Sequence, residues 1–321
     1  MADTKNLLAF EKPLLPLFAK IEELKKVQDT GKLDMTEEIK MVEKRIEVMR
    51  REIFGKLTPI QIVQLARHIQ RPNTLDYINL IFTDAVELHG DRNYADDPAL
   101  VGCMAKLDGK SVMVIGHQKG HTTKEMLKRN FGMANPEGYR KALRLMRIAQ
   151  RAGKPIISLV DTPGAYCGLG AEERGQAEAI AKNLREMAAL TVPFITVITG
   201  EGGSGGALGI GLGNRVLMME YSIYSVISPE GCASILFRDA SRSGEAAVAS
   251  KLLAKDLLEL NVIDEIIKEP VGGAHNAYAP AAQAVKASIL KNLEELNKLS
   301  PRELIADRYR KFRKMGIFIE V

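Results

Sequence analysis

Apolar positions along the chain change their period, and the changes predict the elements. From Thr36 to Phe54 they fall at Ile39, Val42, Ile46, Met49 and Ile53, the spacing of a surface helix with one apolar stripe. The charged residues between them read as a solvated face, although a helical arm packed on a partner would give the same pattern. Before this helix, residues 1–30 mix Pro13 and Pro16 with an amphipathic piece. After it, Thr58-Pro59 predicts a second helix, with Thr58 as N-cap and Pro59 in the first helical position. From Leu100 the period shortens: LVGCMAKL and SVMVIGHQ flank Asp108-Gly109 and predict a β-hairpin. A helix from Pro136 to Arg151, with Gly153 just past its end, leads to a buried strand, Pro155 to Asp161, that stops at DTPG. A further helix, Glu172 to Leu190, leads to the strand that begins at Pro193, so two units share one plan of helix, apolar strand, glycine loop and helix. Strands at Arg215 to Met219 and Ile223 to Ile227 follow, and then mostly helix, with LNVIDEIIKEP as a last edge strand. No fixed-period repeat or low-complexity tract interrupts this order.

The candidate chemistry concentrates in Pro193 to Gly213, PFITVITGEGGSGGALGIGLG. Gly200, Gly202, Gly203, Gly205 and Gly206 remove the side chains that would keep a ligand from the backbone. A helix starting near Gly205 would leave its first amides without intrahelical acceptors, able to receive an anion or a developing oxyanion. Two other readings compete. Gly200, Gly202 and Gly205 spell GxGxxG with Glu220 about 20 residues on, the outline of a dinucleotide fingerprint and of an oxidoreductase. However, the segment before the next apolar run is short and rich in glycine for a crossover helix. The third reading is a glycine-packed turn with no ligand. No GxxxxGK[ST] occurs, which excludes a Walker A loop.

Composition narrows the class. With 321 residues and 46% hydrophobic content the chain can bury a large core. A formal net charge of +5 suits small anions but falls short of a nucleic-acid footprint. Cys103, Cys167 and Cys232 are too dispersed for a disulfide framework or a CxxC zinc site, which points to the reducing cytoplasm and to no metal in this chain. The N-terminal MADTKNLLAFEKP has no signal-peptide design, and no apolar run approaches the roughly 18 residues of a membrane span, so neither export nor a membrane role is expected.

GHQKGHTTKEMLKRNFGMANPEGYRKALRLM, DTPGAYCGLGAEERGQAEAIAKNLREM, GEGGSGGALGIG and YSVISPEGCASILF together closely resemble the α subunits of bacterial acetyl-CoA carboxylase carboxyltransferases. The resemblance spans nearly the whole chain and departs from the family pattern at Cys167, where a proline is usual. It implies an α/β, crotonase-like (ClpP/crotonase) spiral of ββα units over residues 96–270, with an N-terminal helical region at 1–95 and C-terminal helices at 271–321. It implies transfer of the carboxyl group from carboxybiotin, borne on a biotin carboxyl carrier protein, to acetyl-CoA, giving malonyl-CoA for fatty acid biosynthesis. The family partner is a zinc-containing β subunit in an α2β2 heterotetramer, with biotin carboxylase in the full complex. By motif, the amides of Gly205 and Gly206 would hold the ureido oxygen of biotin, with Gly202, Gly203, Gly164 and Ala165 lining the substrate site. A β-branched side chain at Gly206 would then fill the space that the ureido ring needs, abolishing transfer while the chain still folds and still pairs.

Other residues receive plainer readings. His117 and His121 have metal-ligand spacing but sit in a turn sequence without an evident carboxylate, so a hydrogen-bonded or solvated role is favoured. Arg129 and Arg140, with Lys124, Lys128 and Lys141, are candidates for the phosphates of CoA, and a solvated helix face is the equal alternative. Asp161 is expected to cap the turn that follows it. GGSGG is not taken as a nucleophile elbow, and no histidine is tied to Ser204 by sequence.

Overall fold

The computed structural model describes residues 6–29, 31 and 33–316, so the first five residues of the N-terminal reading lie outside it. A 3-10 turn, Ala9–Leu14, opens into α1 (Leu15–Asp29) and α2 (Thr36–Phe54). The apolar stripe of α2 packs within the chain: Ile46 joins Leu14 and Phe18, with Val42, Met49 and Ile53 against them. Helices α3 (Pro59–Ala66) and α4 (Thr74–Ile81) follow. Pro59 is at the first helical position of α3, and the Gln61 side chain accepts from the Thr58 N–H at 2.8 Å.

One sheet organises the rest. Strands β1 (Thr83–Glu87), β2 (Leu100–Leu107) and β3 (Lys110–His117) are antiparallel, and β2 pairs with β3 in unbroken register from Leu100↔His117 to Leu107↔Lys110. Asp108 and Gly109, at φ 45° and 79°, occupy the two left-handed positions that such a two-residue turn requires. After α5 (Thr123–Lys128) and α6 (Pro136–Arg151) comes β4 (Ile156–Thr162), parallel to β3. Next are α7 (Leu169–Glu173), α8 (Gln176–Ala188) and β5 (Phe194–Gly203), parallel to β4. A helix of five residues, α9 (Ser204–Leu208), leads to β6 (Arg215–Met219) and β7 (Ile223–Ser225), both parallel to β5. Helices α10 (Pro229–Phe237), α11 (Ser243–Ala249) and α12 (Ala254–Glu259) precede the edge strand β8 (Glu265–Ile267) on β6. The chain closes with α13 (Tyr278–Leu296) and α14 (Pro301–Arg313).

The central strands are buried on both faces, and their side chains alternate between two cores as the period of two demands. Val114, Ile157, Val197 and Leu217 meet Tyr77 of α4 and Val285 and Ile289 of α13. Met113, Ile115, Val160, Phe194 and Ile198 meet Tyr139, Leu145 and Met146 of α6 and Met187 of α8 on the other side. Strand β1 and helix α13 thus pack into the central unit from the segments 1–95 and 271–321, so the boundaries drawn there mark changes of pattern and not of packing.

Two predicted elements are corrected. The single helix over Glu172–Leu190 is broken, because Gly175 takes φ 80° and the Gln176 side chain turns inward to donate to the carbonyls of Ala134 and Tyr166. The strand over Ile223–Ile227 stops at Ser225, whose hydroxyl donates to the carbonyl of Ile227 at 2.8 Å.

Candidate active site

Parallel β3, β4 and β5 deliver three loops to the same carboxyl edge of the sheet, where ligands bind in open α/β folds. They are 117–121, 161–166 and the glycine run 200–206. The second and third are in backbone contact. A Cβ on Gly206 would lie 2.5 Å from the Gly164 carbonyl carbon and 2.6 Å from the Ala165 nitrogen, and one on Gly203 would lie 2.1 Å from the Pro163 oxygen. At Gly202 and Gly200 a Cβ would meet the Tyr224 ring at 2.7 Å and the Asp161 carboxylate at 2.3 Å. Most of these glycines therefore serve close packing between strands and loops. Gly206 in particular faces the backbone of its neighbouring loop, so the expectation that a side chain there would intrude only on a ligand is corrected.

Gly205 differs: the one atom within 4 Å of an added Cβ is Ile180 Cδ1, at 3.6 Å. At Gly164 a Cβ would meet nothing within that distance. Gly205 and Gly206 lie in the first turn of α9, and no acceptor for either N–H is present among the described residues. Two neighbouring donors with open room beside them therefore stand at the carboxyl edge.

A chain of ion pairs, buried at Asp161 and Glu201 and running out to the exposed side chain of Glu230, braces this edge. Lys119 Nζ lies 2.8 Å from Asp161 Oδ1 and 2.6 Å from Glu201 Oε2. Arg67 Nε meets Glu201 Oε1 at 2.7 Å, and its Nη1 meets Glu230 at 2.7 Å. Burial pushes the Glu201 carboxyl up, but Lys119 and Arg67 outweigh it and hold the group below its ordinary value. Asp161 accepts from the Glu201 N–H at 2.9 Å, so it ties β4 to β5 and does not cap its own turn as expected. His117 is wholly buried at the end of β3, and burial, reinforced by Lys119, lowers its pKa to about 3, so the imidazole is neutral.

The remaining sequence candidates separate from the loop. His121 has a carboxylate partner after all, Asp76 at 2.7 Å, which raises its pKa. Arg129 donates to the Pro98 carbonyl, and Arg140 is paired with Asp91 at 2.7 Å and donates to the Arg174 carbonyl, so neither is bonded to the glycine run. Lys141 is buried against Asp96, while Lys124 and Lys128 are exposed on α5. Cys167 is exposed in the loop after β4. Among the described residues, Glu11, His68 and His275 form the cluster closest to a ligand set. His68 fits a metal poorly, since Nδ1 accepts from the Gln70 N–H and Nε2 faces the Asn6 carbonyl. Arg67, Glu201 and Glu230 were not found from sequence. Arg67 and Glu201 are 134 residues apart, and the one local signal was a carboxylate inside a glycine run.

Two rival readings of the run can be judged on this geometry. Gly200 and Gly202 lie inside β5, and α9 has five residues, so no dinucleotide-binding crossover helix is built. Gly202 to Gly206 do satisfy G-x-S-x-G, a correction to the sequence reading, and Ser204 has the φ of 48° typical of a strained strand-to-helix turn. Among the described residues no histidine ring bonds to its hydroxyl, which leaves it without a general base.

Comparisons with known proteins agree with the motifs. The profile of the acetyl co-enzyme A carboxylase carboxyltransferase-like family matches residues 7–316. Acetyl-coenzyme A carboxylase carboxyl transferase subunit alpha of Geobacter metallireducens is 61% identical over 313 residues, which cover 98% of each chain. The subunit of the same name from Thermus thermophilus is 56% identical over 98% of this chain and 99% of its own. Among solved structures, transcarboxylase 12S superimposes with a TM-score of 0.58 at 22% identity, over 73% of this chain and 44% of that one. A Pseudomonas malonate decarboxylase hetero-tetramer in complex with coenzyme A gives 0.59 at 16% identity, over 73% and 91%. These structural likenesses support the crotonase-like α/β fold. From its motifs and from relatives matched along almost its entire length, the chain belongs to the family of acetyl-CoA carboxylase carboxyltransferase α subunits.

Proposed function

We propose that this chain is the biotin-facing half of an acetyl-CoA carboxyltransferase, with the N–H groups of Gly205 and Gly206 as its oxyanion hole. The observation that carries the reading is the pair of adjacent amides without an acceptor among the described residues, beside open room at Gly205 and Gly164. A planar urea fits such a cradle, because its carbonyl oxygen can accept from both donors. Carboxybiotin supplies an activated carboxyl group whose departure leaves negative charge on the ureido oxygen. Gly205 and Gly206 oppose that charge with dipoles fixed before the reaction begins, worth a few kcal/mol for each well-placed donor. Gly202 and Gly203 hold the run in β5, while Gly164 and Ala165 form the opposite wall. The Asp161–Lys119–Glu201–Arg67 chain keeps the loops in place and needs no proton transfer of its own.

The reaction needs a second oxyanion hole, for the thioester oxygen of acetyl-CoA, and the chain offers one glycine loop of this kind. A zinc-containing β subunit in an α2β2 assembly would supply it, with biotin arriving on its carrier protein and charged by biotin carboxylase. Exposed apolar residues on the segments leaving the carboxyl edge, Leu169, Leu208 and Val226, support a face that a partner covers. A cytoplasmic setting suits the three free cysteines, and no helix among the described residues is long and apolar enough to cross a membrane. Arg129 stays a candidate contact for CoA; Arg140 could serve only together with its Asp91 partner. The test is reconstitution. The chain alone is expected to form no malonyl-CoA from carboxybiotin and acetyl-CoA, and to gain that activity on mixing with β. Robust turnover by the chain alone would overturn the division of labour.

A further inference from the structure

One side of α6 carries Arg140, Arg144, Arg147 and Arg151, spaced four, three and four residues apart and hence aligned on the helix. With Arg92 and Lys182 they line a groove of about 430 Å³ whose one lining carboxylate is Asp91. Asp91 is taken by Arg140, and Arg147 is answered by Glu186 at 2.7 Å. Lys182 lies 3.8 Å from Glu178, whereas Arg92, Arg144 and Arg151 have no ion pair among the described residues. Arg144 donates to the carbonyls of Gly90 and His89 at 2.9 and 3.0 Å, and Arg92 to that of His89 at 2.8 Å. Arg151 is exposed and has no ion pair among the described residues. Three guanidinium groups thus share one concavity with little opposing charge. Burial and then the repulsion of Arg92 depress the pKa of Arg144, as crowded like charges should.

We propose that this groove binds a compact ligand carrying two or more phosphate groups, held by Arg92, Arg144 and Arg151. Guanidinium forks match phosphate oxygens two at a time, and the carbonyl bonds of Arg92 and Arg144 fix these forks in advance. The concavity has the size of a small-molecule site, whereas a macromolecular partner would engage a broader face. Like charges held together without their anion cost stability, and a polyphosphate relieves that cost while gaining several charge-assisted bonds.

Calorimetric titration of the full chain with inorganic tripolyphosphate at low salt tests the proposal. One site per chain is expected, with affinity falling as salt is added. The double variant Arg92→Glu/Arg151→Glu should weaken binding by roughly tenfold or more, since two charge-assisted bonds are lost. Both residues are exposed, so its melting temperature should stay near that of the parent, and the double variant Arg302→Glu/Arg313→Glu on α14, also at exposed positions, serves as a control of equal charge change. Absence of tripolyphosphate binding, or equal weakening by the control, would overturn the site. A competition arm identifies the source of the phosphates: displacement by CoA assigns them to the substrate, and binding alongside CoA assigns them to a separate ligand. Either result keeps the groove as a phosphate site.

Discussion

Replacement of Gly205 by valine is expected to cut malonyl-CoA formation by the α–β pair by more than roughly a hundredfold, while the chain still folds and still pairs. Valine keeps its backbone N–H, but its side chain would occupy the cradle and hold the ureido oxygen away from the donors, and the loss of even one oxyanion contact typically costs about a hundredfold to a thousandfold in rate. Folding should survive because an added Cβ meets only the flexible end of Ile180, at 3.6 Å. Gly206→Val makes the contrast. Its Cβ would strike the Gly164–Ala165 backbone at 2.5 and 2.6 Å, so it should damage the loop packing itself and melt at a lower temperature. Near-normal transfer by folded Gly205→Val in the complex would place the oxyanion hole elsewhere.

The second large effect is on stability. Lys119→Met should destabilise the chain by about 3–5 kcal/mol, the usual penalty for leaving a buried charge without its partner. Lys119 is shared by Asp161 and Glu201, whose side chains are 4% and 9% exposed, and water cannot readily take its place. Urea unfolding measures the loss, and a change below about 1 kcal/mol, the scale of a surface pair, would contradict it. The pH dependence carries the same signature. Since Glu201 is held below its ordinary value, its contribution is fully present above the unfolded pKa and fades as the pH falls through the lowered one. The variant has less of that contribution to lose, so its acid-side decline should be smaller than the parent's.

Elements set by local pattern were legible in the chain. The stripe of α2, the Thr58-Pro59 start of α3, the Asp108-Gly109 hairpin and the apolar runs of β4 and β5 each rest on neighbours within a few residues. The break at Gly175 was not legible, because it depends on Gln176 reaching the carbonyls of Ala134 and Tyr166 across the fold. The glycine run stood out in the sequence, but the packing duty of its glycines did not. Gly200, Gly203 and Gly206 are demanded by Asp161, Pro163 and the Gly164–Ala165 backbone, contacts that exist only once β4 lies beside β5. Arg67 escaped notice for the same reason, since no sequence rule joins an arginine after α3 to a glutamate in β5.

The central claim concerns two backbone amides, and a structure of the α–β complex with bound biotin tests it most directly. The account predicts the ureido oxygen about 2.7–3.1 Å from the nitrogens of both Gly205 and Gly206, with the ring over Gly205 and beside Gly164. A ureido oxygen held instead by the β subunit, with these two amides facing only water, would contradict it.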